Sequence, residues 1–179
     1  MAQPAPRPPI DLSEQFERTY PAIYRYFRYR GADVDAANDL AAAVFERALT
    51  RLASFDPDKG SFHTWLFTIA HHTAINDWKA RARAWLLPLE AAAARPAPDP
   101  SPEAALEQRQ RQADLLAALG TLERRPREIL ALKFAGRLTN RQIAGLTGLS
   151  EANVGVILYR ALRRLKAALS AGEEQVRHE

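Results

Sequence analysis

The stretch TNRQIAGLTGLSEANVGVILYR, residues 139–160, decides the fold of the second half of this 179-residue chain. Thr139 and Gln142 have the spacing of a capping box, in which the threonine hydroxyl accepts the glutamine backbone N–H and the glutamine side chain reaches back. Gly148 falls at a turn, where a left-handed backbone costs little only for glycine. Ser150 can then cap another helix. The stretch therefore predicts two helices joined by a tight turn.

The spacing of small and apolar residues within 140–159 is typical of a helix-turn-helix that reads DNA with its second helix in the major groove. Ile143 and Ala144 would pack the first helix against the second. Val154 and Ile157 would form the inner face of the second helix. The alternative is an ordinary helical hairpin with a glycine turn.

Basic side chains follow this motif directly, and no acidic residue comes between them and Glu173. Such a run can neutralise phosphates along a duplex. A solvated helix face is the ordinary alternative, but the position directly behind a helix-turn-helix favours phosphate contacts. The basic residues are Arg160, Arg163, Arg164 and Lys166.

Upstream of the motif, the chain predicts further helices and no strand of any length. One helix should run from the cap Ser13 to about Arg30, with an apolar stripe at helical spacing. A second should run from about Asp33 to Ala53, and a third from about Phe62 to Arg83. Nearer the motif, helices should start at Pro102 and near Pro126. The stripe of the first helix consists of Phe16, Tyr20, Ile23 and Phe27.

Proline-rich segments separate the helical parts. Residues 1–11 are predicted to be disordered, and residues 86–101, with four prolines in an alanine-rich stretch, to be a flexible linker. Residues 171–179 form a short tail. The predicted fold is all-α, with two small helical domains, residues 12–85 and 102–170, joined by that linker.

Composition excludes several classes of function. The chain has no cysteine, which excludes disulfides and thiolate metal sites. Neither a signal peptide nor a membrane-spanning run occurs, so we expect a cytoplasmic protein. His63 and His71 have no carboxylate at ligand spacing, and no phosphate loop or catalytic triad is evident. We therefore expect no metal, no cofactor and no enzymatic activity.

Two segments together resemble the sigma-70 family of RNA polymerase sigma factors, in its short extracytoplasmic-function branch. The first is ANDLAAAVFERA, residues 37–48, followed by SFHTWLFTIA, residues 61–70. The second is LERRPREIL, residues 122–130, continuing through the helix-turn-helix to Leu165. Their order and spacing agree with the family, and the family's middle domain is missing, as in the short branch.

The resemblance implies a subunit that binds the β and β′ subunits of core RNA polymerase and directs initiation at specific promoters. Residues 12–85 would then be a region 2-like domain that binds polymerase and melts the −10 element, and residues 102–170 a region 4-like domain that reads the −35 element. Promoter DNA would be the second partner. An anti-sigma factor is typical of the family, although no residue identifies one.

Candidate site residues follow from the motif and the resemblance together. Those expected to contact the −35 duplex are Thr139, Arg141, Asn153, Gly155, Tyr159, Arg160, Arg163 and Arg164. Those expected to hold the −10 strand are Asp56, Lys59, Ser61, Phe62, His63, His72, Asn76, Lys79 and Arg83. Those expected to bind core polymerase are Asp33, Asp35, Asp39, Leu40 and Arg47. Trp65 is expected to pack in the core, and His71 and His72 to lie on a helix surface.

The sequence also departs from the family pattern. Ala42 and Ala43 stand where the family usually has a Gln-Glu pair that helps to bind polymerase, and His72 replaces a common Asn. Gly155, Val156 and Ile157 replace a usual Lys-Ser-Arg, so shape and phosphate contacts should carry more of the −35 specificity.

Two other interpretations remain open from the sequence. A free-standing helix-turn-helix regulator would bind duplex DNA alone, usually as a dimer on a palindrome. An interaction protein without promoter activity would instead titrate polymerase or an anti-sigma factor, which the departures at Ala42, Ala43 and 155–157 favour.

Overall fold

The computed structural model describes the backbone of residues 12–84 and 102–176 and, within these ranges, the side chains of residues 14–80 and 107–170. The regular elements of the described backbone are seven α-helices and one short 3₁₀ turn, Leu52–Ser54. The helices are α1 Leu12–Tyr29, α2 Val34–Arg51, α3 Phe62–Ala84, α4 Pro102–Gly120, α5 Arg124–Phe134, α6 Asn140–Thr147 and α7 Glu151–Val176. The predicted all-α fold is confirmed. The predicted disordered start, linker and final residues of the tail lie outside the described backbone.

The break between α1 and α2 follows from local chemistry. Gly31 has φ +99°, a backbone conformation that L side chains rarely adopt. Asp33 is the N-cap of α2, and its Oδ1 accepts the backbone N–H of Ala36 at 2.8 Å. The prediction that Ser13 caps α1 was wrong, because α1 already begins at Leu12 and a cap must precede the first helical residue.

The helix-turn-helix is built as its sequence predicts. The Thr139 and Gln142 side chains form both halves of the capping box, and Gly148 ends α6 in the left-handed region at φ 70°. Ser150 Oγ accepts the backbone N–H of Asn153 at 3.2 Å. α5 starts earlier than expected, at Arg124, so that Pro126 lies inside its first turn, where the missing N–H has no helical acceptor to lose.

The two helical halves, α1–α3 and α4–α7, share one hydrophobic core. Ile23, Val44 and Leu66 are fully buried in the first half, and Ile143 and Val154 in the second. α5 packs against α1, and α6 packs against α3. In the described residues, the halves are therefore in contact, which the prediction of two separate domains did not include.

Some buried positions differ from the sequence prediction. Phe16, predicted to face the core, is 41% exposed at the start of α1, where its ring lies against those of Tyr20 and Phe45. Conversely, Tyr26 and Phe67 were not singled out, yet both are fully buried, with ring centroids 5.7 Å apart. Phe67 is covered by the second half of the chain, which a periodicity argument within one helix cannot foresee.

No helix in the described part of the chain is both long and apolar enough to cross a membrane. Within the same residues, no three histidine or carboxylate side chains converge as a metal site would require.

Candidate nucleic-acid interface

The helix-turn-helix presents one face of α7 to solvent. Its inner face packs through Val154, Leu158 and Ala161, which are 0%, 7% and 2% exposed. The outward face is exposed along three turns of the helix. Its members are Asn153, Val156, Tyr159, Arg160, Arg163 and Arg164.

This outward face holds most of the residues predicted to contact the −35 duplex. Tyr159 is 64% exposed, and the guanidinium of Arg163 lies 5.9 Å from the centroid of its ring. Arg141 is exposed on α6, and Thr139 uses its side chain in the capping box. The side chains of Arg160 and Arg163 are exposed, so their two positive charges can bind a polyanion.

Gly155 does not belong to the outward face. A Cβ at this position would lie 3.9 Å from Asn140 Nδ2, so the position faces α6. The sequence prediction had placed Gly155 against DNA, whereas the position lies on the side of α7 that faces Asn140 at the start of α6.

Val156 is the residue of this face that the prediction missed. It is 46% exposed and lies one turn before Arg160. An exposed apolar side chain among arginines could have been identified from the sequence, because Val154 and Leu158 already fix which side of α7 is buried.

The loop before α3 brings the first group of predicted −10 residues together. Lys59 Nζ and Asp56 Oδ2 are 3.4 Å apart, and Asp56 also accepts the backbone N–H of Asp58. Ser61 Oγ lies 3.0 Å from Thr64 Oγ1 at the start of α3. Asp56 and Lys59 thus order the loop while Lys59 remains exposed.

Phe62 forms an aromatic cluster with two neighbours, and its ring is half-buried there. The centroids of Phe55, Phe62 and Trp65 lie 5.4–5.6 Å apart. Trp65 therefore packs against protein, as its predicted role in the core requires. Because the ring of Phe62 packs against Phe55 and Trp65, it has little exposed area for stacking on a base.

The second group of predicted −10 residues forms a stripe along α3. His72, Asn76 and Lys79 are all exposed at helical spacing. The side chain of Arg83 lies outside the described residues. A groove of about 290 Å³ runs beside the stripe. The residues that line it are Arg47, Arg51, Ile69, His72, Thr73 and Asn76.

His63 is turned away from these two groups. Its Nε2 lies 2.7 Å from the carbonyl oxygen of Gly136, in the other half of the chain. Its neighbour Thr64 accepts a hydrogen bond of 2.9 Å from Gln142 Nε2 on α6. The structure thus separates His63 from the exposed residues with which it was grouped.

The residues predicted to bind polymerase lie on or beside α2. Asp35, Asp39 and Arg47 are exposed, and Leu40 is half-buried. Arg47 Nη1 donates to Thr73 Oγ1 at 2.6 Å, which ties the surface of α2 to α3. Asp33, also exposed, has one carboxylate oxygen engaged in capping α2.

A buried polar cluster, Arg30, His71 and Glu128, joins the two halves. Glu128 Oε1 contacts Arg30 Nη1 and lies 2.7 Å from His71 Nδ1, and the three side chains are 11%, 7% and 12% exposed. His71 was predicted to lie on the surface. That prediction was wrong, because α5 covers this side of α3 and supplies the partner carboxylate.

The cluster sets the ionisation of its carboxylate. Burial alone would raise the pKa of Glu128, but the hydrogen bond from His71 and the charge of Arg30 outweigh it and hold the pKa below its ordinary value. Glu128 therefore stays ionised inside the interface, where its charge attracts the guanidinium of Arg30.

Comparisons with known proteins assign each of the two halves to a known family region. The family model "Sigma-70 region 2" matches residues 15–84, and "Sigma-70, region 4" matches residues 112–165. The RNA polymerase sigma factor YlaC of Bacillus subtilis is 29% identical over 167 residues, which cover 93% of this chain and 96% of YlaC. The ECF RNA polymerase sigma factor BldN of Streptomyces coelicolor is 31% identical over 88% of this chain and 59% of BldN.

Solved structures show the same fold. The sigma factor RpoE of Bartonella quintana, in complex with the anti-sigma factor NepR, superposes with a TM-score of 0.69 at 22% identity, over 89% of this chain and 97% of RpoE. CnrH, in complex with the cytosolic domain of CnrY, gives a TM-score of 0.63 at 23% identity, over 89% of this chain and 88% of CnrH.

Proposed function

Because the chain belongs to the sigma-70 family, as an extracytoplasmic-function (ECF) sigma factor with regions 2 and 4, we propose that it brings core RNA polymerase to promoters by reading the −35 element with α7 and holding the −10 strand on α3. The family acts in transcription initiation and has no catalytic activity of its own. Catalysis belongs to polymerase, and this subunit contributes DNA-binding energy.

The observation that carries the proposal is the exposed face of α7. A recognition helix must leave one face free for the major groove, and here that face combines three arginines with few other polar groups. Arg160, Arg163 and Arg164 would neutralise phosphates and fix the register of the protein on the duplex. DNA shape would supply much of the remaining specificity.

Val156 adds a direct contact to this proposal. An apolar side chain on the groove face can contact the methyl group of thymine, which is the one apolar feature that a base presents in the major groove. Asn153, three residues earlier on the same face, can donate to and accept from a base edge. We therefore expect a thymine close to the base that Asn153 reads.

On the region 2 side, opening a promoter costs a few kcal/mol for each base step that is unstacked. Capturing bases of one strand in polar and aromatic surroundings offsets this cost. The exposed stripe His72, Asn76 and Lys79 would follow that strand. Polymerase would bind the neighbouring face of α2 through Asp35 and Asp39, because the two ligands need separate surfaces and Arg47 lines the groove beside the stripe.

Anti-sigma control is part of the proposal. RpoE of Bartonella quintana is similar in fold and was solved in complex with NepR. We propose that an anti-sigma factor binds this chain as well. Co-purification of such a protein with the chain from its own cells would identify it.

In vitro transcription tests the proposed function. Core polymerase and a pool of genomic promoter fragments are incubated with and without the protein, and start sites are mapped. We expect discrete new start sites, which Arg160→Ala should weaken strongly. Arg111→Ala is the matched control, because Arg111 is an exposed helical arginine, with 76% of its side chain exposed, on α4.

The other outcomes distinguish the alternatives. Binding to core polymerase without any start site would favour a protein that titrates polymerase. Sequence-specific binding to duplex DNA without any effect of core polymerase would favour a free-standing regulator, and the roles assigned to α2 and α3 would then be wrong.

A further inference from the structure

A hollow of about 240 Å³ lies between the two halves of the chain, and we refer to it as the interface hollow. Its walls come from the C-terminal part of α3, from the first turns of α5, and from the end of α6 with the turn that follows. It shares no lining residue with the groove beside Arg47 and His72 that was described above. The interface hollow is therefore a separate feature of the surface.

The lining of the interface hollow is rich in positive charge. Lys79 on α3 and Arg124 and Arg125 on α5 all line it, and all three side chains are exposed. Among the described residues, Glu128 supplies the one carboxylate of the lining, and its Oε1 already contacts Arg30 Nη1. Three positive charges thus face one negative charge that has a cationic partner of its own, so the hollow attracts anions.

The two arginines have donors to offer to a ligand. Within the described part of the chain, neither Arg124 nor Arg125 forms an ion pair with a carboxylate. The guanidinium of Arg124 lies over the ring of Trp78 instead, 4.0 Å from its centroid. Because a guanidinium carries its N–H donors in its own plane, stacking on a ring leaves these donors available to the oxygens of an anion.

The other side chains of the lining are mostly apolar. Ile75 on α3 and Ile129 on α5 belong to it, as does Leu149 in the turn after α6. Trp78 adds an aromatic ring that is 46% exposed. Sites for small molecules combine such an apolar lining with a few polar groups that fix the orientation of the ligand, and their volumes start at about 300 Å³. The size of the interface hollow therefore suits a small molecule.

We propose that the interface hollow binds a small phosphorylated ligand, with its phosphate held by Lys79, Arg124 and Arg125 and the rest of the molecule against Ile75 and Ile129. Arginine binds phosphate oxygens through paired N–H donors, and lysine binds them as a point charge. Because the lining comes from both halves, the bound ligand contacts both and stabilises the folded chain.

Isothermal titration calorimetry on the full chain tests the site with two probes that share a phosphate group. Inorganic pyrophosphate represents free phosphate, and adenosine 5′-monophosphate (AMP) represents a phosphate attached to a planar organic body. We expect one probe molecule to bind per chain. Tighter binding of AMP would assign the site to nucleotides, and equal or tighter binding of pyrophosphate would assign it to free phosphate. Binding of neither probe would overturn the proposal.

Substitutions of the three cations locate the bound probe. Arg124→Gln, Arg125→Gln and Lys79→Gln should each weaken binding about tenfold, because each removes a charge-assisted hydrogen bond. Arg111→Gln is the matched control, since Arg111 is an exposed arginine on α4 outside the hollow, and it should bind the probe as the wild type does. Equal losses in the control, or no loss in the other three variants, would overturn the proposal.

A fourth substitution separates an enclosed site from general attraction between a basic surface and an anion. Ile75→Trp fills part of the interface hollow without changing any charge, so it should weaken AMP binding at least tenfold. Circular dichroism of the variant without ligand checks that it folds, and the charge variants carry the test if it does not. Binding at the wild-type affinity by the folded variant would show that the anion lies outside the hollow, which contradicts the proposal.

Thermal unfolding gives an independent measurement. AMP at a hundredfold excess over its Kd should raise the unfolding midpoint by about 5–10 °C, and Arg124→Gln at the same concentration should show about half this rise. If a single-stranded oligonucleotide raises the midpoint and AMP does not, the hollow binds the −10 strand and the proposal is wrong. A chain that binds AMP but directs no start sites would keep this site and lose the proposed function.

Discussion

The outward face of α7 and the start of α3 are both assigned to promoter DNA, and the folded chain presents them in opposite ways. The face of α7 is solvent-exposed over its whole length, whereas the start of α3 is hydrogen-bonded to the turn before α6 and to α6 itself. This difference shows that, in a chain with two halves, the exposure of a binding surface depends on the other half as well as on the residues of the surface itself.

The largest expected effect concerns the packing between the halves. Phe67→Ala should lower the free energy of unfolding by about 3–5 kcal/mol, because it empties a fully buried position that the second half covers. Urea denaturation followed by circular dichroism measures the change. Phe134→Ala is the matched control: its side chain is 53% exposed, so it should cost much less. Equal losses at both positions would contradict the shared core.

The polar cluster should give the next largest effect, and it should depend on pH. Glu128→Gln leaves Arg30 and His71 without their partner, which costs about 3 kcal/mol when a buried charge pair is broken. The pKa of Glu128 is lowered in the folded chain, so its stabilisation is present above the ordinary glutamate pKa. It is lost as the pH falls through the lower, folded value.

The pH dependence separates this residue from other carboxylates. As the pH falls from the ordinary glutamate pKa through the lower, folded pKa of Glu128, the wild-type chain should lose stability that Glu128→Gln never had, so the two stability curves should converge at low pH. Parallel curves over this range would show that the charge of Glu128 does not stabilise the interface. Glu123→Gln should follow the wild-type curve.

A smaller effect should be confined to the helix-turn-helix. Thr139→Ala removes one half of the capping box and should cost about 1 kcal/mol of stability. The Thr139 side chain is bonded to Gln142, whereas Glu128 contacts Arg30 and His71, so the two sites have different partners and their costs should add. A double variant measured by urea denaturation tests this, and strong non-additivity would place the cap within the network between the halves.

The smallest expected effect is the loss of DNA affinity when a single methyl contact of Val156 is removed. Replacing thymine by uracil throughout the −35 duplex removes only methyl groups, and one buried methyl is worth about 0.8 kcal/mol. Wild-type holoenzyme should therefore bind the uracil promoter about fourfold more weakly, whereas Val156→Ala should bind both promoters equally. A competition binding assay measures the ratio, and equal sensitivity of both proteins would exclude the contact.

Local chemistry explains which features could be predicted from the sequence. The capping box, the glycine turn and the Ser150 cap each depend on residues within four positions of one another, and all three were confirmed. The resemblance to the sigma-70 family was confirmed as well. Neither the local motifs nor the family resemblance required knowledge of how the two halves pack against each other.

Contacts between distant segments explain what was missed. The partner of His71 is 57 positions away at Glu128 and that of His63 is 73 positions away at Gly136. No spacing rule connects such residues, so His71 was placed on the surface and Phe67 received no role. Periodicity within one helix identifies a buried face only when that helix packs on a single neighbour.

The contact between Gln142 and Thr64 determines how the closed state, in which the two halves touch, responds to the amount of protein in the cell. Both partners belong to one chain, so the two halves meet at a fixed effective concentration, in the millimolar range for short connections. Making more protein leaves the closed fraction unchanged. Only a ligand that binds the open state more tightly than the closed one shifts the balance. Overproduction of the chain alone would therefore not separate its two halves.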